Sequence, residues 1–243
     1  MIQKDTIGFW GVPKPEIIEE YKLLYPNHKF VDLCMLYGAP KTTILPDTTC
    51  KIISNIMDNA IFFRDNLELI IASVGYEKCD SGRFVARILK DMGFKVINSV
   101  NDNYDEKAEL KIPISTSDLS LGEKITRITA NIIQKDTDKY TYIKPTFGFW
   151  GVPPNDFSFL DLFPNSTHVF GWTRCVEAKR PADTDLEMYV DENLPTVFFA
   201  QTFCNKMQLA KYLAKKYSGL FIDVDDIANN STKAKIQAFM RLG

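Results

Sequence analysis

The sequence predicts an α/β protein built as two pseudo-symmetric Rossmann-like lobes, with mainly parallel sheets and a cleft between them. Three observations lead there. Gly8-Phe9-Trp10-Gly11-Val12-Pro13 returns unchanged as Gly148-Phe149-Trp150-Gly151-Val152-Pro153, each preceded by an apolar residue, so the chain contains an internal repeat. Leu69-Ile70-Ile71-Ala72 and Val197-Phe198-Phe199-Ala200 are continuous apolar runs, the pattern of strands covered on both faces. Such strands alternate with helical stretches of roughly 10–15 residues, the signature of βαβ units.

Taken in order, the first aromatic-glycine strand runs into Pro13-Lys14-Pro15-Glu16-Ile17-Ile18, a helix start with proline in its first turn. The flank KLLYPNHKFVDL is answered later by FLDLFPNSTHVFGW, and on this reading His28 and His168 fall at corresponding places. Leu45-Pro46-Asp47-Thr48-Thr49-Cys50 is a turn that opens a helix. The apolar strand at 69–72 leads through Gly75-Tyr76-Glu77-Lys78-Cys79-Asp80-Ser81 into GRFVARILKDMGFKVINS, a helix and a strand. KMQLAKYLAKKYSGLFIDVD answers it in the second half. LGEKITRITANIIQK, from Leu121 to Lys135, reads as an amphipathic helix joining the halves. The expected organisation is a lobe over 1–118, a linking helix over 119–140 and a second lobe over 141–243. The segment 179–194 is polar and reads as a surface excursion. The last helix, 231–242, is expected to be capped by Ser231 or Thr232.

Composition narrows the function. A net charge of −2 gives no electrostatic footprint for nucleic acid. No apolar run approaches the ~18 residues of a membrane helix, and the first residues lack a signal peptide's apolar core, so a cytoplasmic protein is expected. In a reducing compartment, five cysteines point to thiols or metal ligands rather than disulfides.

Three cysteines stand at turns leading into helices: Cys50, Cys79 and Cys204, the last in Gln201-Thr202-Phe203-Cys204-Asn205. Ligands in open α/β sheets bind outside the carboxyl ends of strands, and a helix N-terminus favours the thiolate that metals need. With only two histidines and several soft thiols, an iron–sulfur cluster is a more natural guest than zinc. Cys34, inside an apolar run, reads as an inert core thiol, and Cys175 is ambiguous. The GFWGVP loops have two readings. Trp10, Gly11, Trp150 and Gly151 line a substrate cleft, or the aromatic rings pack the lobes and need no ligand.

The order of these pieces resembles the 2-hydroxyacyl-CoA dehydratase and benzoyl-CoA reductase subunits, a family that includes double-cubane cluster proteins. The likeness runs through the aromatic-glycine strand before Pro13–Ile18, Asp47-Thr48-Thr49-Cys50, LIIASVGYEKCDS, the strand ending Phe203-Cys204, and Thr232–Phe239. The resemblance implies a [4Fe–4S] cluster on Cys50, Cys79 and Cys204 with one open iron facing substrate. It implies Ser81 and Glu77 as catalytic candidates and Asn205 beside the substrate. It further implies an ATP-dependent activator as electron donor, an acyl-CoA substrate, lyase or oxidoreductase chemistry, and a homo- or heterodimer. Two other readings stay open: a non-enzymatic cluster or corrinoid carrier, and a metal-free two-lobed protein that binds a small molecule.

Overall fold

The structure is a computed structural model and describes residues 4–76, 78–101, 112–133 and 138–242. It is α/β, with two four-stranded, wholly parallel sheets flanked by helices. The chain divides into two compact units, Met1–Asp102 and Asn103–Gly243.

In the first unit the strands are β1 (Thr6–Trp10), β2 (Lys29–Asp32), β3 (Leu67–Ser73) and β4 (Val96–Ser99), with sheet order β2-β1-β3-β4. Helices α1 (Pro15–Leu24), α2 (Lys51–Phe62) and α3 (Asp80–Asp91) make the parallel crossovers. The second unit repeats the order as β6-β5-β7-β8, using β5 (Phe147–Trp150), β6 (Thr167–Phe170), β7 (Thr196–Ala200) and β8 (Leu220–Asp223). Its helices are α4 (Leu121–Ala130), α5 (Trp172–Glu177), α6 (Thr184–Met188), α7 (Lys206–Lys216) and α8 (Asn230–Leu242). Continuous burial of β1 and β7 explains why these strands are largely apolar rather than alternating, and β6 is equally buried although it carries Thr167 and His168.

Several local expectations change. The helix expected as a connector, α4, is a core helix of the second unit: Leu121 and Ile125 are buried with Phe149, Phe159 and Phe199. A reciprocal capping box between Ser120 and Glu123 fixes its start. The segment expected as a surface excursion contains α6 and the buried Glu187 and Val190, and Glu187 O accepts the Trp150 indole N–H at 2.7 Å. The last helix is capped two to three residues earlier than expected, with Asn229 Oδ1 accepting Thr232 N–H at 2.8 Å.

Strand register also corrects the equivalence of the histidines. Gly8 pairs with Val31 and Gly148 with His168, so His168 matches Val31 and not His28. His168 is a buried residue whose Nε2 lies 2.9 Å from Ile143 O, and burial lowers its pKa.

Candidate functional site

In a sheet of order β2-β1-β3-β4 the chain reverses direction of winding between β1 and β3. Ligands of such sheets collect there, outside the carboxyl ends of the strands. In the first unit that edge is polar. β1 runs out into Gly11, β2 ends at Asp32, β3 ends at Ser73, β4 ends at Ser99, and Lys78 lies in the turn before α3.

Gly11 has φ +71°, which favours glycine. A Cβ on it would sit 2.5 Å from Lys78 Nζ and 2.8 Å from Ser73 Cβ, so only a glycine lets Lys78 lie across the strand end beside Ser73. The Ser73 side chain is fully buried, and its Oγ has no hydrogen-bond partner among the described residues. Asp32 faces the same group. Its Oδ1 accepts Cys34 N–H at 2.9 Å, the Cys34 thiol also donates to its carboxylate, and Gly11 N–H donates to the Cys34 sulfur. Cys34 is therefore a polar link between β2 and β1 rather than an inert filler, and burial pushes its thiol up.

The surrounding loops are tied down. Asn59 Nδ2 donates to Leu33 O at 2.9 Å and Met35 O at 2.7 Å, and Asn55 Nδ2 donates to Cys34 O at 3.1 Å. On the other side Ser99 Oγ accepts Lys14 N–H at 2.7 Å. The edge is thus held in place by α2 and β4, as a preorganised site requires.

Burial pushes the Asp32 carboxyl up to about 6, against the lowering effects of the Cys34 hydrogen bonds and the Lys78 charge. The folded protein therefore holds this proton more tightly than the unfolded chain. Stability is expected to fall as pH climbs from about 4 through about 6, by at most about 3 kcal/mol. Asp32→Asn should flatten that slope, measured as urea unfolding at pH 4.5 and 7.5. Equal slopes in the two proteins would show that Asp32 is as well solvated folded as unfolded.

The second unit offers an internal comparison, because strand register matches the two edges residue for residue. Phe9 pairs with Asp32 and Phe149 with Val169, so Asp32 is replaced by Val169. Trp10 pairs with Ala72 and Trp150 with Phe198, so Ser73, one residue on, is replaced by Phe199. Ser73 pairs with Ser99 and Phe199 with Ile222, so Ser99 is replaced by Ile222. All three replacements lie in the second unit's apolar core. A Cβ on Gly151 would meet Phe199 O at 2.7 Å and the Phe199 side chain at 3.2 Å, where Gly11 meets Ser73 and Lys78. The Gly151 carbonyl is itself taken up, accepting Thr173 N–H at 3.2 Å and Oγ1–H at 2.9 Å.

The residues singled out from sequence fall as follows. Cys50 and Cys79 are the N-cap residues of α2 and α3, the first partly buried against the core and the second exposed. Neither side chain caps its helix. The two helix starts adjoin: a Cβ on Gly82 would lie 3.8 Å from both Ile53 Cδ1 and Lys78 Cβ. Cys204 lies in the second unit, partly buried in the β7–α7 turn, with the exposed Asn205 as the N-cap of α7. Ser81 is exposed in the first turn of α3, and Glu77 lies outside the described residues. Trp10 and Trp150 are 1% and 0% exposed. The Trp10 indole N–H donates to Ser73 O at 3.2 Å, so both rings serve as core with satisfied polar ends. Cys175 is buried, with its thiol pushed up to about 12. Among the described residues no group of three His, Cys, Asp or Glu side chains is gathered closely enough to hold a metal ion.

Sequence reasoning passed over Asp32, Ser73 and Lys78. For Asp32 and Ser73 the signal was present in the repeat itself, as a polar residue in one copy opposite an apolar residue in the other. No family model matches the chain, and no curated protein matches it. Among the described residues no helix is long and apolar enough to cross a membrane.

Proposed function

We propose that this protein binds a small polar molecule at the carboxyl edge of its first sheet, and that the second unit is a packed scaffold on the same plan. The supporting observation is the exchange of Asp32, Ser73 and Ser99 for Val169, Phe199 and Ile222 at matched register positions. A core that needed only stability would favour the apolar set, because a buried hydroxyl without a partner costs about 1–3 kcal/mol. Retaining Ser73 is explained by a partner that arrives with a ligand. Ser73→Ala is therefore expected to leave unfolding free energy unchanged within about 0.5 kcal/mol, or to raise it, while weakening ligand binding. Amide spectra of the full chain against a library of small polar compounds test the reading. Compounds should shift Gly11, Ser73 and Lys78 and leave Val169, Phe199 and Ile222 in place. A library whose hits all shift the second set, or none, would sink it.

A second reading keeps the iron–sulfur cluster, because two of its three cysteines head adjoining helices in the first unit. Cys50 and Cys79 would then be two of the ligands, and Cys204 is the third that the resemblance implies. The cluster would provide an open iron as Lewis acid and a low-potential electron. The activator protein, the acyl-CoA substrate, the catalytic roles of Ser81 and Glu77, and a dimeric assembly all rest on this reading. Its measurement is iron and acid-labile sulfide on anaerobically prepared protein. About four irons per chain, lost when Cys50, Cys79 and Cys204 are all replaced by alanine, would establish it. A colourless, iron-free sample leaves the metal-free binder.

A further inference from the structure

We propose that the molecule bound at the first sheet's edge carries an oxyanion, a phosphate or carboxylate, received by Lys78 Nζ, the Ser73 hydroxyl and the first turn of α3. This rests on the binding reading above. Three observations support it, and the first turn of α3 lies against the Lys78 stem, with a Cβ on Gly82 3.8 Å from Lys78 Cβ. Lys78 and Ser73 approach Gly11 from two sides, with Nζ and Cβ 2.5 and 2.8 Å from the position a Cβ there would take. Ser73 is wholly buried and its hydroxyl has no partner among the described residues, so it can donate to an acceptor that enters beside Lys78. α3 is twelve residues long and starts two residues after Lys78, and its N-cap side chain, Cys79, accepts none of the helix's first N–H groups. A helix N-terminus that no side chain caps presents backbone donors and a positive dipole end to an anion.

Two carboxylates border this point. Asp80 in the first turn of α3 is exposed and lies 3.6 Å from Arg83, whose other nitrogen donates to Gly75 O at 3.1 Å. Asp32, on the β2 side, is partly buried and hydrogen-bonded by Cys34. An acceptor of that kind suits a hydroxyl on the same ligand, so the best match is a hydroxylated oxyanion rather than a bare ion.

The test uses the full chain and four probes: glycerol 3-phosphate, glycerate, inorganic phosphate and glycerol. Binding is read by amide shifts at Ser73, Lys78, Asp80 and Ser81. At least one hydroxylated anion should bind saturably and shift these residues, with phosphate against carboxylate separating the two sources of the oxyanion. Lys78→Met should weaken that binding about tenfold or more, and Ser73→Ala several-fold. Lys78 is partly exposed, so the Met variant is expected to unfold like wild type, which a denaturation curve confirms. Glycerol producing the same shifts as the anions, or unchanged affinity in Lys78→Met, would overturn the oxyanion proposal. So would the absence of saturable binding by any anionic probe. If neutral or cationic library compounds then shift the same residues, the binding reading survives and only the anion is wrong. If no compound does, both fail.

Discussion

Trp150→Ala should lower the unfolding free energy by about 4 kcal/mol, the usual cost of removing a large buried aromatic side chain. Trp150 is fully buried among Phe170, Phe198, Ala200 and Leu213, and its indole N–H reaches Glu187 O at 2.7 Å. Truncation both opens a cavity and strands a buried carbonyl. Trp150→Phe separates the two parts. It keeps most of the apolar contact and drops the N–H, so about 1–2 kcal/mol of loss is expected. Denaturant unfolding measures both. A tryptophan that lined a substrate cleft would behave differently: alanine would spare stability and cost binding. Unfolding of Trp150→Ala at the wild-type midpoint would return the GFWGVP loop to the ligand-lining reading.

Gly171→Ala is expected to cost about 3 kcal/mol. Its φ of +73° with ψ −150° lies in a region essentially confined to glycine, where a side chain costs about 1–3 kcal/mol. A Cβ there would also stand 2.8 Å from Trp150 Cε2 and 2.9 Å from its Nε1, so a rigid ring must shift, adding an overpacking cost of about 1–3 kcal/mol. Gly38→Ala is the control. Its φ is +68°, but nothing lies within 4 Å of the added Cβ, so only the backbone part, about 1 kcal/mol, should appear. Equal losses at the two glycines would mean that the ring at 150 yields freely.

The sequence carried the sheet plan well. Two identical aromatic-glycine strands and two fully apolar strands, each followed by a helical run, leave few alternatives to parallel βαβ units, and that is the fold. What it hid has physical causes. The connector reading of α4 failed because an amphipathic period shows one buried face without showing which core covers it. The polar look of 179–194 concealed that a backbone carbonyl, at Glu187, caps a tryptophan, a contact that leaves no mark in side-chain type. Cysteines draw the eye because their chemistry is distinctive, whereas Asp32, Ser73 and Lys78 are ordinary residues. They become a candidate site only when strand register sets Asp32 and Ser73 at one edge and the turn before α3 brings Lys78 to it.

The buried hydroxyl of Ser73, without a partner among the described residues, bears on how this protein would respond to selection for heat resistance. The second unit already displays the substitutions that satisfy the same edge by packing alone. A lineage adapting to higher temperature without its ligand would gain most cheaply by copying them into the first unit. Thermal hardening and loss of the site would then be the same mutational event.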